Sequence, residues 1–150
     1  MPASPITINV PGGAASGTYN GTLTVTNSST TCTSIGYAIS VIINTLPAPS
    51  VAGNSTVCET ETDTYSTAPT GNNFTWTVTG GSIDSGQGTN QISVTWDVLT
   101  PAGTLSATGT VEVQETIAVT SCQVTDVLNV TIYRVPQTGP AHHIGNDFNE

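Results

Sequence analysis

Two stretches of the chain repeat one pattern, and this duplication constrains the fold more than any other feature. GTLTVTNSSTTCTSIGYAISVIINTLP, from Gly21 to Pro47, matches GTVEVQETIAVTSCQVTDVLNVTIYRVP, from Gly109 to Pro136. The offset is 88 residues between Gly21 and Gly109, 90 between Cys32 and Cys122, and 89 between Pro47 and Pro136. In each copy Gly-Thr opens an alternating run, a cysteine sits in the following turn, and a second alternating run ends at a proline. The match extends upstream, where ITINVPGG (Ile6 to Gly13) corresponds to ISVTWDVLTPAG (Ile92 to Gly103). A fixed period of this length is the mark of a tandem array. It divides the chain into 1–46, the second half of a repeat, 47–135, a whole repeat, and 136–150, a linker or the start of the next element. TLPAPSVAGN and RVPQTGPAHHIGN put prolines at the joints, where fixed φ and missing donors stop a sheet and stiffen the junction.

At the centre of the whole repeat, NNFTWTVTGGSIDSGQGTNQISVTW (Asn72 to Trp96) alternates bulky apolar with small polar residues, so each run is a strand with one dry face. Phe74, Trp76 and Val78 share one face, and Ile92, Val94 and Trp96 share another. Gly80, Gly81, Gly86 and Gly88 are expected to supply positive φ for a tight turn and a bulged loop. Threonine occurs 29 times. With Val and Ile it makes a β-branched composition suited to strands, and no stretch has apolar residues at helical spacing. The expected fold is an all-β Greek-key sandwich of immunoglobulin size, with strands near 49–53, 55–58, 62–67, 73–79, 91–97, 104–115 and 125–135.

Charge narrows the partners. Ten acidic residues stand against Arg134 alone, with no lysine and a net charge of −9. Such a surface does not neutralise phosphates and is repelled by anionic membranes, which argues against nucleic acid and membrane surfaces. No apolar run reaches the length of about 18 residues that a spanning helix needs, and MPASPITINV lacks the pattern of a signal peptide. Cys32, Cys58 and Cys122 are too widely spaced for a zinc site and read as disulfide cysteines of a secreted protein, with one left over. Cys58 and Cys122 are the expected pair. Cys32, the counterpart of Cys122, is then a free thiol whose partner belongs to the missing half.

The succession PAPSVAGNSTVCE, TYSTAPTGNNFTWTVTGGSIDSGQGTNQISVTW, a cysteine in the last hairpin, and LNVTI before a proline resembles the PKD-like repeats of very large surface proteins of gliding and related bacteria. Those proteins are similar to long adhesins and leave the cell by the type IX secretion route. The resemblance covers the whole repeat, and only the closing strands of the half repeat. It implies an extracellular, immunoglobulin-like sandwich that spaces, displays or adheres without catalysis. The stricter PKD signature has WDFGDG where this chain has Trp76-Thr77-Val78-Thr79-Gly80-Gly81, so no ligand residues carry over.

Two readings stay open for several groups. Glu59, Glu61 and Asp63, at i, i+2 and i+4 of an extended strand, would put three carboxylates on one face about 7 Å apart per step. With Asp84 and Asp97 that is either part of a calcium shell or the wet face of an acidic protein. Trp76 and Trp96 are either core or a stacking platform for polysaccharide. His142 and His143, with Asp147 and Glu150, are a polar linker before they are a metal site, because adjacent strand residues point to opposite faces. Asn20, Asn27, Asn54, Asn73 and Asn129 head Asn-x-Ser/Thr sequons, which a chain this rich in Ser and Thr supplies by chance. No nucleophile–base set or pair of cleft carboxylates stands out, so an enzyme is not expected. Three functions remain: a structural or adhesive repeat whose partners are its neighbouring repeats, a carbohydrate- or calcium-binding module of a secreted protein, and a polymerising subunit. In the last, another copy of the chain completes the open half by strand addition.

Overall fold

The computed structural model describes residues 7–136, which form strands and no helix. The first two strands, β1 (Gly17–Leu23) and β2 (Tyr37–Ile43), make an antiparallel hairpin in register from Gly17↔Ile43 to Leu23↔Tyr37. The remainder is a sandwich of two sheets. One holds β3 (Thr56–Cys58), β9 (Gln123–Tyr133), β8 (Ser106–Thr116) and β5 (Asn73–Thr79), in that spatial order; the other holds β4 (Thr62–Ser66), β7 (Gln91–Trp96) and β6 (Gly81–Ser85). All ladders are antiparallel except β3 with β9.

The alternation seen in the sequence builds the core. Phe74 and Trp76 of β5, Ile92, Val94 and Trp96 of β7, Val111 and Val113 of β8, and Val130 and Ile132 of β9 meet between the sheets with Tyr65, Val57 and Leu99. Each fully buried large apolar side chain contributes on the order of 2 kcal/mol. The intervening threonines face outward and bond across strands, as in Thr62–Thr95 and Thr79–Thr110, both 2.8 Å between hydroxyl oxygens. This is how the chain wets its sheet faces with little charge.

The duplication is structural as well as sequential. The β1–β2 turn has Asn27 N–H donating to Cys32 O at 2.9 Å and Thr31 N–H to Asn27 O at 2.8 Å; the β8–β9 turn has Ile117 N–H to Cys122 O at 2.9 Å and Ser121 N–H to Ile117 O at 2.8 Å. Thr31 and Ser121 hold matching positive φ of 55° and 57°. The faces differ in what covers them. Val130 and Ile132 are buried under the second sheet. Their counterparts Val41 and Ile43, with Tyr19, Ile8 and Val10, line an apolar groove of about 290 Å³.

Strand directions separate two ends. The chain arrives at the end formed by loops 67–72, 86–90 and 117–122, and leaves at the end formed by 59–61, 97–105 and 134–136. A bond from Val51 N–H to Asp126 Oδ2 of 2.8 Å ties the arriving segment to β9 near its start.

Three expectations are corrected. Residues 49–53 form no strand, only an isolated bridge of Ala52 to Ser66. A strand not foreseen, β6, follows Gly80 directly, bulged between Ile83 and Ser85. Gly80, Gly86 and Gly88 do take positive φ, whereas Gly81 does not. Gly81 instead lets Trp96 lie against its bare Cα: a methyl there would meet Trp96 Cε3 at 3.1 Å and Thr95 O at 2.8 Å.

The turn made possible by Gly86 and Gly88 covers a sheet edge. Strand β5 has no neighbour beyond it, and the Gln87 amide takes that place, accepting from Trp76 N–H and donating to Trp76 O, each at 2.8 Å. The Trp76 indole donates to Thr89 O at 2.8 Å. The edge strand is thereby blocked at Trp76 against pairing with another chain.

Tyr65 gives the fold an alkaline limit. Its hydroxyl donates to Asn54 O at 3.0 Å, and burial, then the charge of Asp63, pushes the phenol up to about 12. The unfolded chain releases this proton near pH 10 and the native one about two units higher. The contribution is complete below pH 10 and is lost as pH rises through 12. Tyr65→Phe should cost about 1 kcal/mol at neutral pH for the lost bond and flatten the decline between pH 10 and 12 in urea melts. An unchanged alkaline profile would contradict this assignment.

Candidate functional site

The acidic residues do not form the expected row. Strand β3 ends at Cys58 and β4 begins at Thr62, and Thr60 between them turns at a φ of 63°, so Glu59, Glu61 and Asp63 do not share an extended face. Glu59 turns inward, 5% exposed, and its carboxylate accepts Leu99 N–H at 2.7 Å and Val135 N–H at 3.1 Å. Glu61 accepts Cys58 N–H, Asp63 accepts from the Asn54 amide, and Asp84 accepts from the Thr95 hydroxyl. Asp97 is exposed. Among the described residues no three His, Cys, Asp or Glu side chains gather in a metal-binding group. His142, His143, Asp147 and Glu150 lie outside the described residues.

The expected Cys58–Cys122 disulfide is also corrected. All three cysteines are free thiols. Cys58 stands opposite Tyr133 at the outgoing end of β9, and Cys122 precedes Gln123 at its start. Eleven residues of strand separate these levels by about 36 Å, against the Cα separation of at most about 7 Å that a disulfide spans. The sequence separation that suggested the pair says nothing of this distance, because the chain crosses the sandwich several times between them.

Trp76 and Trp96 are 2% and 1% exposed, so neither offers a face for stacking on a sugar. Trp96 meets Tyr65 edge-on, ring centres 6.0 Å apart at 84°.

The structure brings together a cluster that sequence patterns did not single out. At the outgoing end, Arg134 Nε donates to Thr104 O at 2.6 Å and Nη2 donates to Leu99 O and to Pro101 O. With Glu59 holding Leu99 N–H and Val135 N–H, the loop 97–105 is tied to the departing chain. The signal was present: Arg134 is the sole Lys or Arg of the chain and directly precedes the linker. At the incoming end Glu115, 1% exposed, accepts from the Thr70 hydroxyl and from the Asn72 amide at 2.7 Å, while its Oε2 has no partner among the described residues. No periodicity marks that residue, which follows Val111 and Val113 on the inward face of β8.

Because Arg134 is the one tryptic site and its side chain is held by three carbonyls, trypsin reads the opening of this end. The native chain should resist under conditions that cut the urea-unfolded chain within minutes, with a rate following the open population. Equal rates for both would mean that the Arg134 clasp does not persist in solution.

Both ends therefore have structural roles, with hydrogen-bonded carboxylates and a bonded guanidinium. A further feature is the apolar groove between residues 8–14 and the face of the β1–β2 hairpin. No protein-family model and no curated protein matches this chain.

Proposed function

We propose that the chain is a stretch of a tandem array of immunoglobulin-like, PKD-like sandwiches in a long extracellular surface protein, and that it spaces or displays a distal tip and contributes to adhesion without catalysing a reaction. The observation that carries this reading is the equivalence of the β1–β2 and β8–β9 hairpins, down to the turn hydrogen bonds and the positive φ before each cysteine. Arrival and departure at opposite ends of the sandwich support it, since units so connected extend end to end. The clasp of Glu59 and Arg134 on the departing segment suits a joint that stays straight under load. The resemblance of the repeat to the surface proteins of gliding bacteria supplies the extracellular setting and the type IX route.

A second reading is favoured by one observation, the uncovered apolar groove of the half repeat. In that reading a neighbouring copy supplies the missing strands and the chain is a subunit of a filament. The two readings share the non-catalytic sandwich and differ in whether the covering strands come from the same polypeptide.

Antibodies raised against residues 47–135 test the setting. Labelling of intact cells of the source organism, lost after brief protease treatment of the cell surface, is the expected result. Labelling only after permeabilisation would contradict it.

A further inference from the structure

We propose that successive repeats are joined by a disulfide across each junction, with Cys58 of one copy bonded to the Cys122 of the copy that follows. The inference rests on the tandem-array reading and adds a covalent partner to it.

Geometry removes the alternative inside one copy, where the two thiols stand at opposite ends of β9. Those ends are the ones that meet when copies are strung together, because the chain leaves beside Cys58 and arrives beside Cys122. The register gives the levels. Strand β3 runs parallel to β9 with Thr56↔Thr131, Val57↔Ile132 and Cys58↔Tyr133, and Val51 bonding Asp126 keeps the same offset. An extended chain continued four residues further back at this offset brings Pro47, which is buried, level with Cys122. In the copy before, Asn44 takes the place of Tyr133, by the offset that relates Pro47 to Pro136. A Cys58 of that copy would therefore stand beside Asn44. Three extended residues separate Asn44 from Pro47, about 10 Å, so a small approach of the two ends brings the sulfurs into range, where about 36 Å separates the pair within one copy.

The cysteine count fits this pattern, and the distance along β9 excludes the internal one. A slice of one and a half repeats that starts with the β1–β2 half contains two turn cysteines and one from β3, which makes three. Cys32 and Cys122 each look to the copy before, Cys58 looks to the copy after, and every junction receives one thiol from each side. Cys32 and Cys122 occupy the same place in turns with matching hydrogen bonds and positive φ, so both hairpins present the thiol at the same end. Formation is thiol–disulfide exchange with a small disulfide such as oxidised glutathione. One thiolate attacks it and releases a first glutathione, the second attacks the protein sulfur of the mixed disulfide and releases the other, and the two protein thiols thereby give up two protons and two electrons.

The test uses the chain extended by a second copy, residues 1–136 followed by 48–150, since Pro136 stands where Pro47 does. The sandwich core lies wholly within 57–132, so each copy carries its own. In one arrangement Cys32→Ser, Cys122→Ser in the first copy and Cys58→Ser in the second leave the facing thiols. In the other, the serines are exchanged so that only the thiols at the far ends remain. After oxidation in a glutathione buffer and alkylation of what is free, the facing arrangement should fall from two reactive thiols per chain to none as a monomer, and the far-end arrangement should keep both. Two free thiols in a trypsin-resistant facing arrangement, or equal oxidation of both arrangements, would overturn the inference and leave the array reading standing. If the extended chain does not fold, the native polypeptide decides. Blocked with N-ethylmaleimide before lysis and digested with Glu-C and chymotrypsin, it should yield the Cys58 peptide linked to the peptide that holds the counterpart of Cys122 in the following copy, and alkylated Cys58, or Cys58 linked to Cys122 of its own copy, would overturn the bond. A native polypeptide of single-copy mass would instead remove the array, and the neighbour with it.

Discussion

Trp96→Ala should lower the melting temperature of the sandwich by roughly 15–30 °C, the shift that a loss of about 3–5 kcal/mol produces in a unit of this size. Trp96 is 1% exposed and is the largest fully buried side chain. It lies edge-on to Tyr65 and covers the bare Cα atoms of Gly81 and Gly109, so its removal opens a cavity between the two sheets that rigid strands cannot close. Domains of this kind have about 5–15 kcal/mol in total, so the variant should be partly unfolded at 37 °C and cut at Arg134 by trypsin. The indole Nε1 has no partner among the described residues. Trp96→Phe removes that unpaired donor along with part of the ring and should cost well under half as much. Thermal unfolding followed by circular dichroism separates these outcomes. An alanine variant melting within a few degrees of the parent would mean that the core is not organised around this residue.

The second large effect lies at the glycine facing it. Gly109→Ala places a methyl 2.6 Å from Trp96 Cζ3 and 2.6 Å from Thr79 O. A backbone carbonyl cannot swing aside as a side chain can, so strands β5 and β8 must part, at a cost of about 2–3 kcal/mol. Gly21 holds the same position in the half repeat. There the nearest atoms to an added methyl belong to Ile39, at 3.4 and 3.5 Å, which is ordinary contact. Gly21→Ala should therefore leave the urea midpoint of the whole repeat unchanged and shift no transition by more than about 0.5 kcal/mol. The contrast has a cause in the sequence: Val10 stands in the first copy where Trp96 stands in the second. Equal effects at the two glycines would contradict the close approach of Trp96 to β8.

Much of this architecture is legible in the sequence, because strand alternation and duplication are written in adjacent residues. FTWTVT and QISVTW gave the two dry faces, and all six of the named apolar residues pack in or against the core. The offset between the copies placed the two hairpins and their cysteines correctly. What was not legible depends on residues far apart in the chain. Strand β6 was hidden because GSIDS has little apolar character, and pairing with β7 defines it. The carboxylates looked like a face only while 59–63 was taken as extended; Thr60 at positive φ is not a residue that signals a turn. The disulfide assignment failed for the same reason. A spacing of 64 residues carries no information on which end of a sandwich each cysteine reaches, whereas the register of β3 against β9 settles it. Glu59 and Arg134 are ordinary charged residues in the sequence and become the clasp of the outgoing end only once loop 97–105 returns to them.

The equivalence of the hairpins also explains the uncovered groove. Val41 and Ile43 keep the apolar character of Val130 and Ile132 although nothing in the described residues lies over them as the second sheet lies over β8 and β9. On the proposed reading that face takes its other strands from the same polypeptide in the array, and from a neighbour in the filament.

The mass of the native polypeptide separates these most directly. Denaturing electrophoresis under reducing conditions, with peptides of residues 47–135 identified in the excised band, measures it without assuming a ligand. The array predicts a band many times the 15.3 kDa of this chain. A band near 15 kDa would contradict it and leave assembly between copies as the way the groove is covered.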